Sequence, residues 1–305
     1  MAPENNDNND NNDNNDDNNT PEQPTDLSRR DFVAIGIAAG IAAASGTASA
    51  ADMPVTEKNV DIKTPDGTCN AAFIHPTTGS YPGVIIWADA FGLRPVLREM
   101  GKSLAKEGYA VLVPNPFYRV VRDAGLDPRT FDFANTTDRA KLTPLMGSIN
   151  AAGAAEKDAV AFVAWLDQQK EVNKSKKIGT QGYCMGGPLV MRTAAASDRI
   201  GAGGSFHGGG LVTDQPNSPH LLAPKIHARM YFGVAKNDDE RQPDAKDKLK
   251  AAMAAANVPA EIEVYPSQHG WCMSDFTAPP TPIYDKAQAE RAWGKLLALY
   301  KTALA

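Results

Sequence analysis

The sequence has little cysteine and no apolar run long enough to span a bilayer. Its three cysteines, Cys69, Cys184 and Cys272, are scattered over 305 residues, which is too sparse for a disulfide scaffold or a four-cysteine zinc site. The apolar, Ala/Gly-rich run at residues 33–44 is shorter than the ~20 residues that a transmembrane helix needs. The sequence therefore predicts neither a disulfide-stapled protein nor a permanent membrane span.

Long runs of basic residues are also absent. The chain carries 31 Lys and Arg against 36 Asp and Glu, a formal net charge of −5, and no basic run follows the first thirty residues. This balance argues against nucleic acid and anionic membranes as partners. Hydrophobic residues at 42% and charged residues at 22% are ordinary globular values, so most of the chain can bury a core.

The first fifty residues differ in composition from the rest. Residues 3–19 are almost entirely Asn and Asp and cannot bury enough apolar surface to fold, so we predict a disordered leader over residues 1–27. Residues 28–33 read Ser-Arg-Arg-Asp-Phe-Val, and Ala-Ser-Ala at residues 48–50 follows the apolar run. This order resembles a twin-arginine export signal over residues 28–50. We therefore expect cleavage after Ala50 and a periplasmic or extracellular protein, with the twin-arginine machinery as a partner.

From about residue 57 onward, patterns of strands and helices alternate. Continuous apolar runs such as residues 84–87 and 110–113 are typical of buried parallel strands. The alternation predicts an α/β fold in which helices cover both faces of a mostly parallel sheet, in one domain over residues 51–305. Residues 119–144 and 207–224 lack such a pattern, and we expect lid and pocket loops there.

The run Gly-Tyr-Cys-Met-Gly at residues 182–186 falls between a predicted strand and a predicted helix. In that context it is typical of a nucleophile elbow, a sharp turn that glycines allow to close. Cys184 is then the nucleophile, and the N–H of Met185 lies at a helix N-terminus, where it can bind an oxyanion. The alternative interpretation is a small buried cysteine in a glycine turn.

A cysteine nucleophile needs a base, and the base needs a group that orients it. His269 follows the last predicted strand, and Asp238 and Asp239 follow the strand before it. Both positions lie at the edge of the sheet where the elbow is expected. We predict His269 as the base and Asp238 as the acid, with Asp239 as the alternative acid and His207 as the next candidate base.

Four runs together resemble the dienelactone hydrolase family over about residues 60–304. They lie at residues 88–93, Ala-Asp-Ala-Phe-Gly-Leu; 114–119, Pro-Asn-Pro-Phe-Tyr-Arg; 182–187, the elbow and the next glycine; and 265–270, Tyr-Pro-Ser-Gln-His-Gly. The resemblance implies the α/β-hydrolase fold, a Cys-His-Asp triad that cleaves small ester or lactone substrates, and no cofactor. It also implies that Asp89 contacts the resting cysteine and that Ala90 supplies a second oxyanion N–H.

We expect the substrate pocket to include Phe91, Tyr118, Arg119, His207 and Trp271.

Two positions depart from the family pattern. Asp89 stands where the best-known members have Glu, and Met273 stands where they have an arginine that grips a substrate carboxylate. Specificity for a dienelactone carboxylate therefore does not follow, although Arg119 and Arg139 are candidates to compensate. The rival interpretations are a non-catalytic binding protein with a degenerate pocket, a thiol redox protein, and a metal site, the last built from Cys184, His207, His269 and Cys272.

Overall fold

The computed structural model describes residues 53–277 and 283–305. The predicted leader at residues 1–27, the export signal at residues 28–50 and its cleavage site after Ala50 lie outside these residues. Within them the chain forms eight strands in one sheet, together with seven α-helices. The strands are β1 Val55–Thr64, β2 Gly67–Pro76, β3 Gly83–Trp87, β4 Ala110–Pro114, β5 Ile178–Tyr183, β6 Ile200–Phe206, β7 Arg229–Ala235 and β8 Ala260–Tyr265. The helices are α1 Pro95–Lys106, α2 Thr136–Asn150, α3 Ala154–Leu166, α4 Gly186–Ala196, α5 Lys236–Arg241, α6 Ala245–Ala255 and α7 Lys286–Ala303.

The sheet confirms the predicted mostly parallel α/β architecture. Its strand order is β1-β2-β4-β3-β5-β6-β7-β8. The pairs β1–β2 and β2–β4 are antiparallel, and every other neighbouring pair is parallel. Strand β5 therefore lies inside the sheet between β3 and β6, and its carboxyl end meets the carboxyl ends of its parallel neighbours.

Alternating side chains of the central strands build two apolar layers. In β3, Ile85 and Trp87 point into the layer that contains Phe162 of α3, whereas Val84 and Ile86 point into the layer that contains Leu296 of α7. Side chains alternate between the two faces of a strand, and both faces of β3 are fully buried. The uninterrupted apolar sequence of β3 follows from this double coverage.

Helix α2 occupies part of the predicted lid stretch, so the expectation of an irregular loop is wrong from residue 136 onward. Asn135 caps the helix by accepting hydrogen bonds from the backbone N–H groups of Thr137 and Asp138. Leu142 and Ile149 are among the residues that this helix buries on one face. A proline inside the helix argues against a helix in the sequence, but this buried face and the cap outweigh it. The second predicted loop ends in a 3-10 helix, Pro219–Lys225.

The two outer strands of the sheet are rich in charge. On β1, Lys58, Asp61 and Lys63 are exposed. On β8, Glu261 accepts a hydrogen bond from Lys295 of α7 at 2.6 Å, and Glu263 pairs with Arg291 of the same helix. None of the described helices is both long enough and apolar enough to cross a membrane.

Candidate active site

Cys184 lies in a sharp turn between β5 and α4. Its φ of 53° is in the left-handed region, which non-glycine residues seldom adopt. The flanking glycines have no room for a side chain: a Cβ at Gly182 would lie 2.2 Å from the carbonyl oxygen of Gly186, and one at Gly186 would lie 2.6 Å from that of Trp87. The glycines are thus required by close backbone approaches, and the turn lifts Cys184 out of the sheet.

Met185 and Ala90 follow two neighbouring parallel strands at the same offset. Trp87 of β3 is paired with Gly182 of β5 in parallel register. Ala90 lies three residues after Trp87, and Met185 lies three residues after Gly182. Within the part of the chain that the structure describes, neither amide donates a hydrogen bond to another protein group. Two free N–H groups beside a nucleophile are suited to binding an oxyanion.

His269 follows β8 and contacts Asp238, which lies on the short helix α5 after β7. The Nδ1 of His269 donates a hydrogen bond to Oδ2 of Asp238 at 2.6 Å, and the Oδ1 of Asn237 accepts the backbone N–H of His269 at 2.8 Å. Asp239 points elsewhere and accepts a hydrogen bond from Lys246 at 2.7 Å. Of the two candidate acids, only Asp238 contacts the histidine.

The surroundings of His269 make it a cation at neutral pH. Burial alone would lower the pKa of His269, but hydrogen bonds with Asp238 and with the Cys184 side chain outweigh burial and raise the pKa to about 10. Asp238 itself is anchored by Arg241, whose Nη2 donates to its other oxygen at 2.6 Å. A histidine cation next to a thiol favours the thiolate, which is the reactive form of cysteine.

His207 lies next to the nucleophile, but the ring nitrogen that faces Cys184 is already hydrogen-bonded. Its side chain is fully buried, and its Nδ1 accepts the backbone N–H of Cys184 at 3.1 Å. Burial, followed by the positive charge on His269, lowers the pKa of His207 well below the usual value. The residue named as the next candidate base is therefore a neutral group whose Nδ1 is already used.

Asp89 does not make the cysteine contact that the family resemblance implies. Both of its carboxylate oxygens accept hydrogen bonds from the guanidinium of Arg94, at 2.6 and 2.8 Å. One of them also accepts the backbone N–H of Phe91 at 2.9 Å. Arg94 in turn donates through Nε to Asp275 at 2.6 Å. Asp89 thus belongs to an ionic cluster, Asp89–Arg94–Asp275, that joins the loop after β3 to the loop after β8.

Two of the predicted pocket residues are engaged in the scaffold. Tyr118 hydrogen-bonds to Thr64 and Asp158, each at 2.7 Å. The guanidinium of Arg119 is bound by Asp158 and Asp66. Neither polar group is free to bind a substrate carboxylate in this arrangement.

Of the other residues that the sequence suggests for substrate contact, some are buried in the core and one is exposed at the surface. Trp271 and Met273 are both fully buried, so Met273 is part of the core where the family places an arginine. Arg139 is exposed on α2. Phe91, the remaining predicted pocket residue, does lie next to Ala90 and its free amide.

Three phenylalanines form an aromatic cluster around Phe91. Its ring lies 5.3 Å from Phe131, 5.8 Å from Phe133 and 5.7 Å from Phe276, all edge to face. Phe133 is 56% exposed, so the cluster reaches the surface. It is an apolar wall beside the candidate oxyanion site.

The other two cysteines are buried, which makes their thiols unreactive. Cys69 and Cys272 are buried, and burial raises the pKa of each thiol. The metal-site interpretation also lacks support, since no group of three or more His, Cys, Asp or Glu within residues 53–277 and 283–305 is arranged to hold a metal ion.

Sequence reasoning missed Arg94, Asp275 and Asn237. Arg94 precedes Pro95 at the start of α1 and reads as an ordinary helix boundary, and its partner Asp275 is 181 residues away. Asn237 could have been identified from the sequence, because it directly precedes the candidate acid after β7.

The chain is similar to known proteins over most of its length. Residues 69–304 match the model of the dienelactone hydrolase family. A carboxymethylenebutenolidase of Rhodococcus opacus is 24% identical over 257 residues, which cover 81% of this chain and 93% of that protein.

Solved structures share the fold. A dienelactone hydrolase-like promiscuous phosphotriesterase from metagenomic libraries superposes with a TM-score of 0.64 at 23% identity, covering 82% of this chain and 99% of the other. A dienelactone hydrolase from Anabaena variabilis gives a TM-score of 0.53 at 14% identity, with coverage of 82% and 99%. The protein has the α/β-hydrolase fold, and because the family match spans most of its length, the chain belongs to the dienelactone hydrolase family.

Proposed function

We propose that this hydrolase cleaves ester or lactone bonds with Cys184 as nucleophile, His269 as proton carrier and Asp238 as the group that orients the histidine. The observation that carries the proposal is the position of His269, which donates a hydrogen bond to Asp238 at 2.6 Å and lies near enough to the Cys184 side chain for that side chain to help raise its pKa. Three residues that follow separate strands come together there at the carboxyl edge of a parallel sheet, where α/β proteins bind their ligands.

The reaction begins from a thiolate and a histidine cation. The Cys184 thiolate attacks the substrate carbonyl, and the oxyanion that forms accepts hydrogen bonds from the N–H groups of Met185 and Ala90, each worth ~3 kcal/mol in the transition state. The His269 cation gives its proton to the leaving alkoxide, and a thioester remains on Cys184. Neutral His269 then takes a proton from water, the hydroxide attacks the thioester, and the acid product leaves as the thiolate and the histidine cation return.

The substrate class that fits this site is an uncharged ester or lactone with an apolar or aromatic group. The guanidinium of Arg94, which lies beside the oxyanion loop, is already bound by two carboxylates. Met273 is buried, and the Phe91 cluster offers ring faces and edges rather than charge. A substrate carboxylate would therefore find neither Arg94 nor an arginine at position 273 to bind it, whereas an aryl group would gain contact with the phenylalanines.

The test of the mechanism is turnover of a panel of aryl esters and lactones by the mature chain. Because the triad acts as a unit, Cys184→Ala and His269→Ala should each lower kcat by a factor on the order of 10⁴ to 10⁶, and the double variant by little more. Cys69→Ala, which removes a buried thiol away from the elbow, is the matched control and should keep its activity. Turnover that survives Cys184→Ala would contradict the proposal and favour a non-catalytic binding role for the elbow.

The substrate class is tested by pairing p-nitrophenyl esters of similar length. We expect p-nitrophenyl phenylacetate to be hydrolysed with a higher kcat/KM than mono-p-nitrophenyl succinate, whose acyl group ends in a carboxylate. A preference for the succinate ester would contradict the argument from Arg94 and Met273 without affecting the triad.

We propose further that the enzyme acts outside the cytoplasm after twin-arginine export. The support is the order of the paired arginines, the apolar run and the small residues at 48–50. Changing Arg29 and Arg30 together to Lys should leave the uncleaved precursor in the cytoplasm, as judged by fractionation and the mass of the product. Normal export of that variant would overturn this part of the proposal.

A further inference from the structure

His207 lies against the nucleophile but takes no part in the proposed reaction. It follows β6 directly, and its backbone N–H donates to the carbonyl of Gly233 at 2.7 Å. Its Nδ1 accepts the backbone N–H of Cys184 at 3.1 Å, which also lies 3.1 Å from the carbonyl of Phe206. The Cys184 amide is thus shared between two acceptors on consecutive residues at the end of β6.

The two residues joined by this bond are both in an unfavourable backbone conformation. Cys184 has a φ of 53° and His207 a φ of 40°, and among the described residues only Asn257 is a further non-glycine residue with positive φ. Strained residues persist only where their surroundings hold them, and they concentrate at functional sites. The hydrogen bond between Cys184 and His207 is one of the contacts that holds both.

The bond requires one particular protonation state of His207. An acceptor at Nδ1 carries no proton there, so the neutral ring has its proton on Nε2. The ring is fully buried, and it packs edge to face against His269 and Trp271 at 5.0 Å and near Tyr183 at 5.9 Å. Burial and the neighbouring His269 cation both lower the pKa of His207, so it stays neutral where His269 is charged.

We propose that His207 is a positioning residue that fixes the nucleophile through its neutral Nδ1, and that this acceptor aims the Cys184 side chain at His269 and at the oxyanion N–H groups. The inference rests on the proposed function, because it assigns a role relative to that reaction. The backbone conformation of Cys184 sets the direction of its Cα–Cβ bond. Loss of the acceptor therefore lets the turn relax and moves Sγ.

Two substitutions separate this role from packing. In His207→Asn the side-chain oxygen can take the place of Nδ1, and Asn tolerates positive φ. In His207→Gln the volume is closer to that of histidine, but the polar group reaches the position of Nε2 instead. A packing role makes Gln the milder change, whereas the proposal makes Asn the milder change.

The expected result is a kcat that stays within about threefold of wild type in His207→Asn and falls about 10- to 100-fold in His207→Gln, with little change in KM. His207→Gly tests strain, since it accepts positive φ but offers no acceptor, and should resemble Gln. Far-UV circular dichroism and thermal unfolding establish that each variant is folded. Equal losses in Asn and Gln, a milder Gln variant, or a Gly variant that matches Asn would overturn the proposal.

A second readout does not depend on hydrolysis. The rate at which iodoacetamide alkylates Cys184, mapped by mass spectrometry, should follow the same order of wild type, Asn, then Gln and Gly. If no ester is hydrolysed by the wild type, the proposed function fails, but the alkylation order still tests the role of His207.

The wild-type protein provides a test without any substitution. In a long-range ¹H–¹⁵N spectrum, the His207 ring should carry its proton on Nε2 and show no titration between pH 5 and 8. A proton on Nδ1, or a titration in that range, would overturn the proposal.

Discussion

Two arginines in this molecule have nearly the same surroundings and different consequences. Arg94 lies between Asp89 and Asp275, and Arg119 lies between Asp158 and Asp66. Each guanidinium also lies over an aromatic ring, that of Phe91 at 5.5 Å and that of Tyr118 at 4.5 Å respectively. One carboxylate in each cluster is almost completely buried.

The clusters differ in what they connect. The Arg94 cluster joins the loop that carries Ala90 to the loop that carries His269, so it spans both sides of the candidate site. The Arg119 cluster joins the turn between β1 and β2 to α3, where Asp158 lies, and contacts no site residue. The same ion-pair chemistry thus holds functional loops in one place and the scaffold in the other, and only its position relative to the carboxyl ends of the strands distinguishes the two.

Of the substitutions that compare the two clusters, Arg94→Met should have the largest effect on stability. This change leaves Asp89, which is 1% exposed, without its counterion, and loss of one partner of a buried ion pair typically costs about 3–5 kcal/mol of unfolding free energy. We also expect kcat/KM to fall at least tenfold, since the Ala90 amide loses its support. Urea unfolding and aryl-ester turnover measure the two effects, and an active variant with unchanged kcat/KM would show that the cluster does not hold the oxyanion loop.

Arg119→Met should lower stability without lowering catalysis. Asp158 keeps its hydrogen bond from Tyr118 at 2.7 Å, so we expect a smaller loss of unfolding free energy, about 2–3 kcal/mol. Below the unfolding transition, kcat/KM should remain that of the wild type. A parallel loss of kcat/KM in this variant would remove the distinction between the two clusters.

Asp89→Asn sharpens the distinction further, because it removes the charge but keeps an oxygen that can accept the N–H of Phe91. We expect a loss of about 1–3 kcal/mol of unfolding free energy and an unchanged rate of Cys184 alkylation. Asp158→Asn is the matched change in the other cluster. If Asp89→Asn alters the alkylation rate and Asp158→Asn does not, Asp89 acts on the cysteine after all, as the family resemblance implies.

A further prediction concerns His269, a cation that can lose its charge where the arginines cannot. Its pKa rises from an ordinary 6.5 to about 10 in the folded chain, so its contribution to stability is complete below pH 6.5 and is lost as the pH rises through 10. The difference in unfolding free energy between wild type and His269→Gln should therefore shrink between pH 7 and 10. A difference that is constant over this range would show that the histidine is neutral in the folded protein.

The site was predictable from sequence where it depends on local pattern. The elbow around Cys184 needs glycines at fixed offsets, and His269 and Asp238 directly follow strands, so strand ends located them. The choice between Asp238 and Asp239 was open in the sequence, because adjacent residues on a short helix point in different directions that only the fold defines.

What escaped prediction depends on contacts between distant segments. Asp89 belongs to an ionic cluster with Arg94 and Asp275, and His207 accepts the N–H of Cys184. Both sets of contacts form only when loops after different strands meet at one edge of the sheet. Helix α2 was missed for a local reason, since Pro144 lies inside it and its apolar positions are few. The predicted export signal and leader lie outside the described residues and stay predictions.

The charged outer strands have a consequence for the protein in crowded solution. An open sheet ends in two strands with unpaired backbone groups, which invite other chains to add on. Here β1 presents lysines and an aspartate to solvent, and on β8 glutamates are tied to basic residues of α7. A second chain that approached either edge would have to bury these charges, so both edges resist strand addition and the aggregation that follows from it.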